Sequence, residues 1–138
     1  MTRLVPDLPH AMVTERILGS FYDVYNELGF GFLESVYHEA MAREMRSREL
    51  HVDSHVPLAV VYKGDVIARF MADLIVENRV IIELKAARCI LPEHESQLLN
   101  YLRATAIEIG LVLNFGSKPQ IKRLVFSNQR KHGAVSNQ

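Results

Sequence analysis

The sequence predicts an α+β fold: two helices, then a mixed sheet with one further helix set into it. Three observations carry this. Apolar residues recur at helical spacing from Val13 to Met45; from Val56 they fall instead into short β-branched runs separated by turn residues; and a last helical stripe, Leu98 to Ala106, stands between two such runs. A length of 138 residues suits one domain with one core, so residues 1–138 are read as a single unit. Its core is expected over about 13–126, between an N-terminal arm at 1–10 that contains Pro6 and Pro9 and a frayed polar tail at 127–138.

In the first helix Val13, Ile17, Leu18, Phe21, Val24, Tyr25 and Leu28 share a face; Thr14 is the expected N-cap and Gly29 the left-handed stop. The run Gly29-Phe30-Gly31 is a turn, and a second helix is expected over 33–49 with Leu33, Val36, Tyr37, Ala40, Met41 and Met45 on its buried side. Three strands follow, at 56–62, 66–76 and 80–86, joined by Lys63-Gly64-Asp65 and by Glu77-Asn78-Arg79. That is an antiparallel meander. Pro92 opens the third helix, whose stripe is Leu98, Leu99, Leu102 and Ala106; strands at 109–114 and 121–126 complete the sheet. A strand, helix, strand succession implies a right-handed parallel crossover.

Composition excludes several classes. Sixteen Lys and Arg balance sixteen Asp and Glu, so no global basic charge marks a nucleic-acid binder. Cys89 is the sole cysteine, which rules out an internal disulfide framework and a cysteine-rich zinc site. No apolar run reaches the ~18–20 residues of a membrane span, and the first ten residues lack the apolar core of a signal peptide. The expectation is a cytoplasmic protein with no membrane partner.

The chemistry concentrates in the second hairpin. A loop at 77–79 sets Val76 opposite Val80, and walking back along both strands sets Asp73 opposite Glu83. Cβ atoms of such a pair lie ~4.5–5.5 Å apart. Facing carboxylates repel unless a cation lies between them, and a divalent cation with hard oxygen ligands suits that place. Lys85 follows two residues on along the same face, within reach of a water or a phosphate there. Acids on an exposed sheet face are ordinarily just solvated surface. This face, however, also carries Met71, Ile75 and Ile81, which predicts that a helix covers it and that the carboxylates need partners. Glu34 sits in the first turn of the second helix, with Tyr37 one turn on; a first-turn acid is also what the helix dipole favours. His94, Gln97 and Tyr101 share one face of the third helix, away from the leucine stripe. His51 and His55 fall at a strand start, where their spacing makes no helical zinc pair, and Cys89 has no evident base beside it.

These residues resemble a known family. The run Gly31-Phe32-Leu33-Glu34-Ser35-Val36-Tyr37 is similar to the motif that names the GxxExxY family. Asp73 followed by Glu83-Leu84-Lys85 resembles the D…ExK core of the PD-(D/E)XK nuclease superfamily, to which that family is assigned. The segment His94 to Leu102 is similar to the family's HxxQLLxYL helix, and Ala72 stands where the superfamily pattern has a proline. The resemblance implies an αβββαβ core, a central mixed sheet flanked by helices. It implies Mg2+ (or Mn2+) held by Asp73, Glu83, the Leu84 backbone carbonyl and Glu34. It makes Glu34, Asp73, Glu83, Lys85 and Gln97 catalytic, and gives Tyr101, His94 and Tyr37 the positioning of substrate or water. The implied activity is phosphodiester hydrolysis of nucleic acid, DNA in preference to RNA, and a homodimer is compatible with it. The competing reading is a catalytically silent nuclease-fold module that binds nucleic acid or a protein partner.

Overall fold

The computed structural model describes residues 10–131. Of the expected arm at 1–10 only His10, which belongs to the first helix, is described, and of the expected tail at 127–138 only 127–131; residues 1–9 and 132–138 lie outside the described residues. Helix α1 (His10–Leu28) buries Val13, Ile17, Phe21 and Val24, a stripe at helical spacing. It stops at Gly29, whose backbone is left-handed (φ 68°) and whose N–H donates to the Tyr25 carbonyl at 2.8 Å. Thr14 is not the N-cap. The helix begins four residues earlier, because nothing between His10 and Val13 interrupts it, and Thr14 Oγ1 is buried without a partner.

Helix α2 (Glu34–Ser47) is shorter than expected at both ends. Its buried residues are Tyr37, Met41, Ala42 and Met45, whereas Leu33 and Val36 face solvent. Strand β1 (Val52–Tyr62) starts four residues before its apolar run, because Val52, Asp53 and Ser54 pair with Val76, Ile75 and Leu74 of β2 (Asp65–Val76). The turn between these strands has Lys63 and Gly64 both at positive φ, the geometry of a tight hairpin. Strand β3 (Val80–Lys85) pairs antiparallel with β2 and parallel with β4 (Ile109–Phe115), to which helix α3 (Pro92–Arg103) makes the crossover. Strand β5 (Pro119–Val125) runs antiparallel to β4 and closes the order β1-β2-β3-β4-β5. This is an α+β fold with a five-stranded mixed sheet flanked by helices.

The sheet has a core on each face. On one, α1 and α2 pack on Leu74, Val76, Val80, Ile82, Leu84, Leu111, Leu113 and Phe115; on the other, α3 packs on Ile75, Ile81 and Val112. Alternation along β3 explains the split. On β2 it fails: Phe70 and Ala72 join the α3 side, although Leu74 and Val76 join the opposite one. β1 switches likewise between Val52 and Val56, on either side of His55, whose backbone is left-handed (φ 52°). The outer part of the β1–β2 hairpin therefore curls onto α3, and Phe70 meets Tyr101 with ring centroids 5.5 Å apart.

Gly110 lets α3 approach β4. A Cβ there would stand 2.7 Å from Leu98 Cδ1. The described start of the tail is also anchored: Asn128 N–H donates to the Glu108 carboxylate, and Lys131 Nζ donates to the Thr105 and Ile107 carbonyls at 2.9 and 2.7 Å. Residues 127–131 are thus tied to the loop after α3, where Lys131 satisfies two loop carbonyls. Among the described residues, no helix is long and apolar enough to cross a membrane.

Candidate active site

The three-residue loop 77–79 is present, with Glu77 and Asn78 both at positive φ, and it produces the pairs Val76–Val80, Ile75–Ile81 and Leu74–Ile82. Backbone pairing then stops. The next two residues on this register are Asp73 and Glu83, and their side chains take over where the ladder ends. Asp73 N–H donates to Glu83 Oε2 at 2.8 Å, and Leu84 N–H donates to Asp73 Oδ2 at 2.8 Å. Each carboxylate thereby holds the other strand's backbone. The two strands part beyond this point while both acids stay fixed in place.

Burial makes the arrangement electrostatically tense. Glu83 is 2 % exposed, and its carboxyl is pushed up to about 8, first by burial and then by Asp73; the Asp73 amide and Lys85 oppose the shift. Glu34, in the first turn of α2, is raised from the ordinary carboxylate range by burial and by Asp73, while Lys85, His94 and the Ala86 amide pull it down. Glu34 thus senses the same charges as Glu83 from the opposite wall.

Helix α3 supplies the remaining groups. Lys85 Nζ donates to Gln97 Oε1 at 3.0 Å, and Gln97 Nε2 donates to the Tyr101 hydroxyl at 3.0 Å. Tyr101 is buried, and its hydroxyl is raised to about 12 by burial and by Glu83. The order Tyr101–Gln97–Lys85 is a relay that aims an ammonium, with Tyr101 steadying Gln97 from inside the core. His94 is divided in its allegiance. Its Nδ1 accepts the Leu91 N–H at 3.0 Å, a cap on α3, while its ring still bears on Glu34.

Tyr37 does not join this group. It is fully buried, stacked on Phe115 at 4.0 Å, and its hydroxyl is spent on the Gly29 carbonyl (2.7 Å) and the Phe32 N–H (3.2 Å). The expected role in positioning substrate is therefore corrected to one of holding the turn before Glu34. Leu33 was expected on the buried side of α2 and is instead that helix's exposed N-cap position.

A cleft of about 410 Å³ opens beside these acids, lined by Glu34, Ser35, His38, Glu39, His55, Asp73 and Leu84. Sequence reasoning missed His38 and His55 as neighbours. Their rings stack at 4.2 Å and 3°, and burial together with His55 lowers the pKa of His38. The signal was the positive φ of His55, which a sequence does not display. Asn114 was missed as well. It is fully buried and grips Ala87 through both its N–H and its carbonyl, fixing the chain just past Lys85.

Among the described residues no group of three or more His, Cys, Asp and Glu side chains closes into a metal cluster. The donor set here is smaller: two carboxylates whose Oδ1 and Oε1 accept no hydrogen bond among the described residues, with Leu84 alongside in the cleft. Hard oxygens in that number suit Mg2+, which takes one or two carboxylates and completes its shell with water and phosphate. A crowded acid pair, with Glu83 buried and Asp73 half-buried, is the environment that such a cation relieves.

The family model of the PD-(D/E)XK nuclease superfamily matches residues 11–124 of the chain. The crystal structure of SSO0001 shares the fold with a TM-score of 0.52 and 18% identity, over 67% of this chain and 50% of that one. The chain thus spans half the length of that protein, and at this identity the likeness is one of fold. No curated protein is similar enough to count as a relative. With the match running from α1 through β5 and across the Asp73–Glu83 hairpin, the chain belongs to the PD-(D/E)XK nuclease superfamily.

Proposed function

We propose that this chain is a metal-dependent nuclease of the GxxExxY type that hydrolyses phosphodiester bonds of nucleic acid, DNA in preference to RNA. The observation that carries the reading is the coupling of two devices at one strand end. Asp73 and Glu83 are fixed by each other's backbone, and Lys85 is aimed by Gln97. Asp73, Glu83 and the Leu84 carbonyl would hold Mg2+ or Mn2+, with Glu34 reaching the same centre from α2. Bound there, the cation supplies Lewis-acid polarisation of the phosphate and a lowered pKa for the attacking water. Lys85 holds that water in line and offsets the charge that grows on the phosphate oxygens. Water oxygen would bond to phosphorus as the ester bond to the departing nucleoside oxygen breaks; Glu34, its carboxyl raised first by burial, would accept the water proton, and the departing oxygen would take up a proton from solvent water. Cys89, the sole cysteine and exposed, needs no oxidising compartment, which agrees with a cytoplasmic site of action.

The test is a panel of single-stranded and duplex DNA and RNA incubated with Mg2+ or Mn2+, beside Lys85→Ala and Asp73→Asn. Cleavage that needs the cation and falls by about 100-fold or more in both variants is expected. No cleavage of any substrate assigns the fold to a binding module, and cleavage indifferent to both substitutions removes the chemistry from Asp73 and Lys85.

A further inference from the structure

The turn that leads into Glu34 is an exposed aromatic device. Phe30 is 61 % exposed, Phe32 48 % and Leu33 77 %, all within four residues of Glu34. The turn is also held stiffly. Gly29 and Gly31 sit at φ 68° and 109°, conformations that a side chain would strain, and the buried Tyr37 hydroxyl ties the Gly29 carbonyl to the Phe32 N–H. Three apolar side chains kept rigidly in water, just before the cleft residue Glu34 in the chain, point to a ligand with apolar faces. In the cleft that Glu34 lines, the exposed ring of His55 adds another flat face, backed by the ring of His38.

Charge narrows the choice of ligand. Glu34, Glu39 and Asp73 line the cleft and Glu83 adjoins it, while Lys85 is the cation that bears on both Glu34 and Glu83 among the described residues. The whole chain has a formal charge of +0. Long runs of phosphate contacts, the usual source of affinity for a duplex, have few partners here. Stacking on bases needs no positive charge, yet it demands bases that are not already stacked in a helix.

We propose that the turn of Phe30, Phe32 and Leu33, together with the His55 ring of the adjoining cleft, grips unpaired nucleobases next to the bond presented to Glu34, Asp73 and Glu83, so that the substrate is a single-stranded or locally splayed nucleic acid. This rests on the nuclease reading for its orientation toward the acids. The binding itself does not need turnover.

Fluorescence anisotropy tests it with full-length protein carrying Lys85→Ala, in Mg2+, against a labelled 12-nucleotide single strand, its duplex and an abasic strand of equal length. The single strand is expected to bind at least about tenfold more tightly than either of the others. Its affinity should depend weakly on salt, with a log–log slope shallower than about −2, since the slope counts neutralised phosphates. Phe30→Ala should weaken single-strand binding by about tenfold and leave the slope unchanged, whereas Phe30→Trp preserves it. His55→Gly, which suits the left-handed backbone, should fold at least as well and weaken the same binding. Equal or tighter duplex binding, equal abasic binding, or indifference to Phe30→Ala overturns the proposal. So does concentration-dependent dimerisation that Phe30→Ala abolishes without changing affinity for the strand, an outcome that gives the turn to a second copy. Lys85-dependent cleavage of duplex that ignores Phe30→Ala leaves the nuclease reading standing and removes this one. Phe30-dependent binding of single strands without cleavage of any substrate does the reverse.

Discussion

Glu83 is the residue at which stability and function pull against each other. In the unfolded chain its carboxyl titrates near 4.5; in the folded protein it holds its proton up to about 8. Between those values the folded state binds more protons than the unfolded one, so stability falls as pH rises through that window and levels off above it. Glu83→Gln, neutral at every pH, should flatten this slope and raise metal-free stability at pH 8.5 by a few kcal/mol. Urea unfolding at pH 5 and pH 8.5 measures both. A wild-type protein that gains stability over the window would contradict the burial of this carboxyl. At the same scale Tyr37→Phe removes the hydroxyl that satisfies Gly29 and Phe32, and a loss of about 1–3 kcal/mol is expected by the same unfolding assay. The two residues also differ in how far the sequence exposed them. Asp73 opposite Glu83 followed from loop length alone, because strand period and register are local rules. That Tyr37 faces inward followed from periodicity too, but its stacking on Phe115 joins elements far apart in sequence, and no local rule reaches that far.

At the scale of elements, β3 and α3 make the site a matter of spacing. Lys85 ends β3, and Gln97 lies on α3 one turn before Tyr101, so the relay exists only if α3 sits close to the sheet. Gly110 sets that distance. Gly110→Val would drive side-chain atoms into Leu98, which is fully buried and has little room to yield. Overpacking of this kind typically costs ~1–3 kcal/mol. The expected outcome is a lower melting temperature together with reduced cleavage, since α3 must move away and carry Gln97 from Lys85. Unchanged cleavage in a folded Gly110→Val protein would show that the relay does not set the rate. The order of elements and the parallel crossover were legible because helix and strand periods differ sharply along this chain. The start of β1 was not, since Asp53 and Ser54 are recruited by pairing with β2 rather than by their own propensity. The switch of faces at His55 escaped for a related reason: positive φ in a non-glycine residue is imposed by its surroundings.

The whole molecule is one sheet with a core on each face, and the acids sit where its β2 and β3 strands part. A cation bound there would draw β2, β3 and α2 together through Asp73, Glu83 and Glu34, acids that Lys85 and backbone N–H groups offset only in part. Ligation therefore acts on global stability, by ~2.7 kcal/mol when the free ion is 100-fold above its dissociation constant. Protons set the size of the gain. Below pH 8 Glu83 must lose its proton before it can bind, so the apparent affinity should rise by about tenfold per pH unit until its carboxyl is ionised, then level off. Melting curves at fixed 5 mM Mg2+ or Mn2+ should accordingly show a small upward shift at pH 5.5 and a larger one at pH 8.5. The metal-free protein moves in the opposite direction over the same range. Asp73→Asn, which keeps the shape of the side chain and removes one charge, should erase the shift at both pH values and leave the metal-free melt equal or higher. Wild-type shifts that ignore pH, or that persist in Asp73→Asn, would place any bound cation elsewhere on the surface, since below about pH 8 a divalent ion held by Glu83 has to displace that carboxyl's proton.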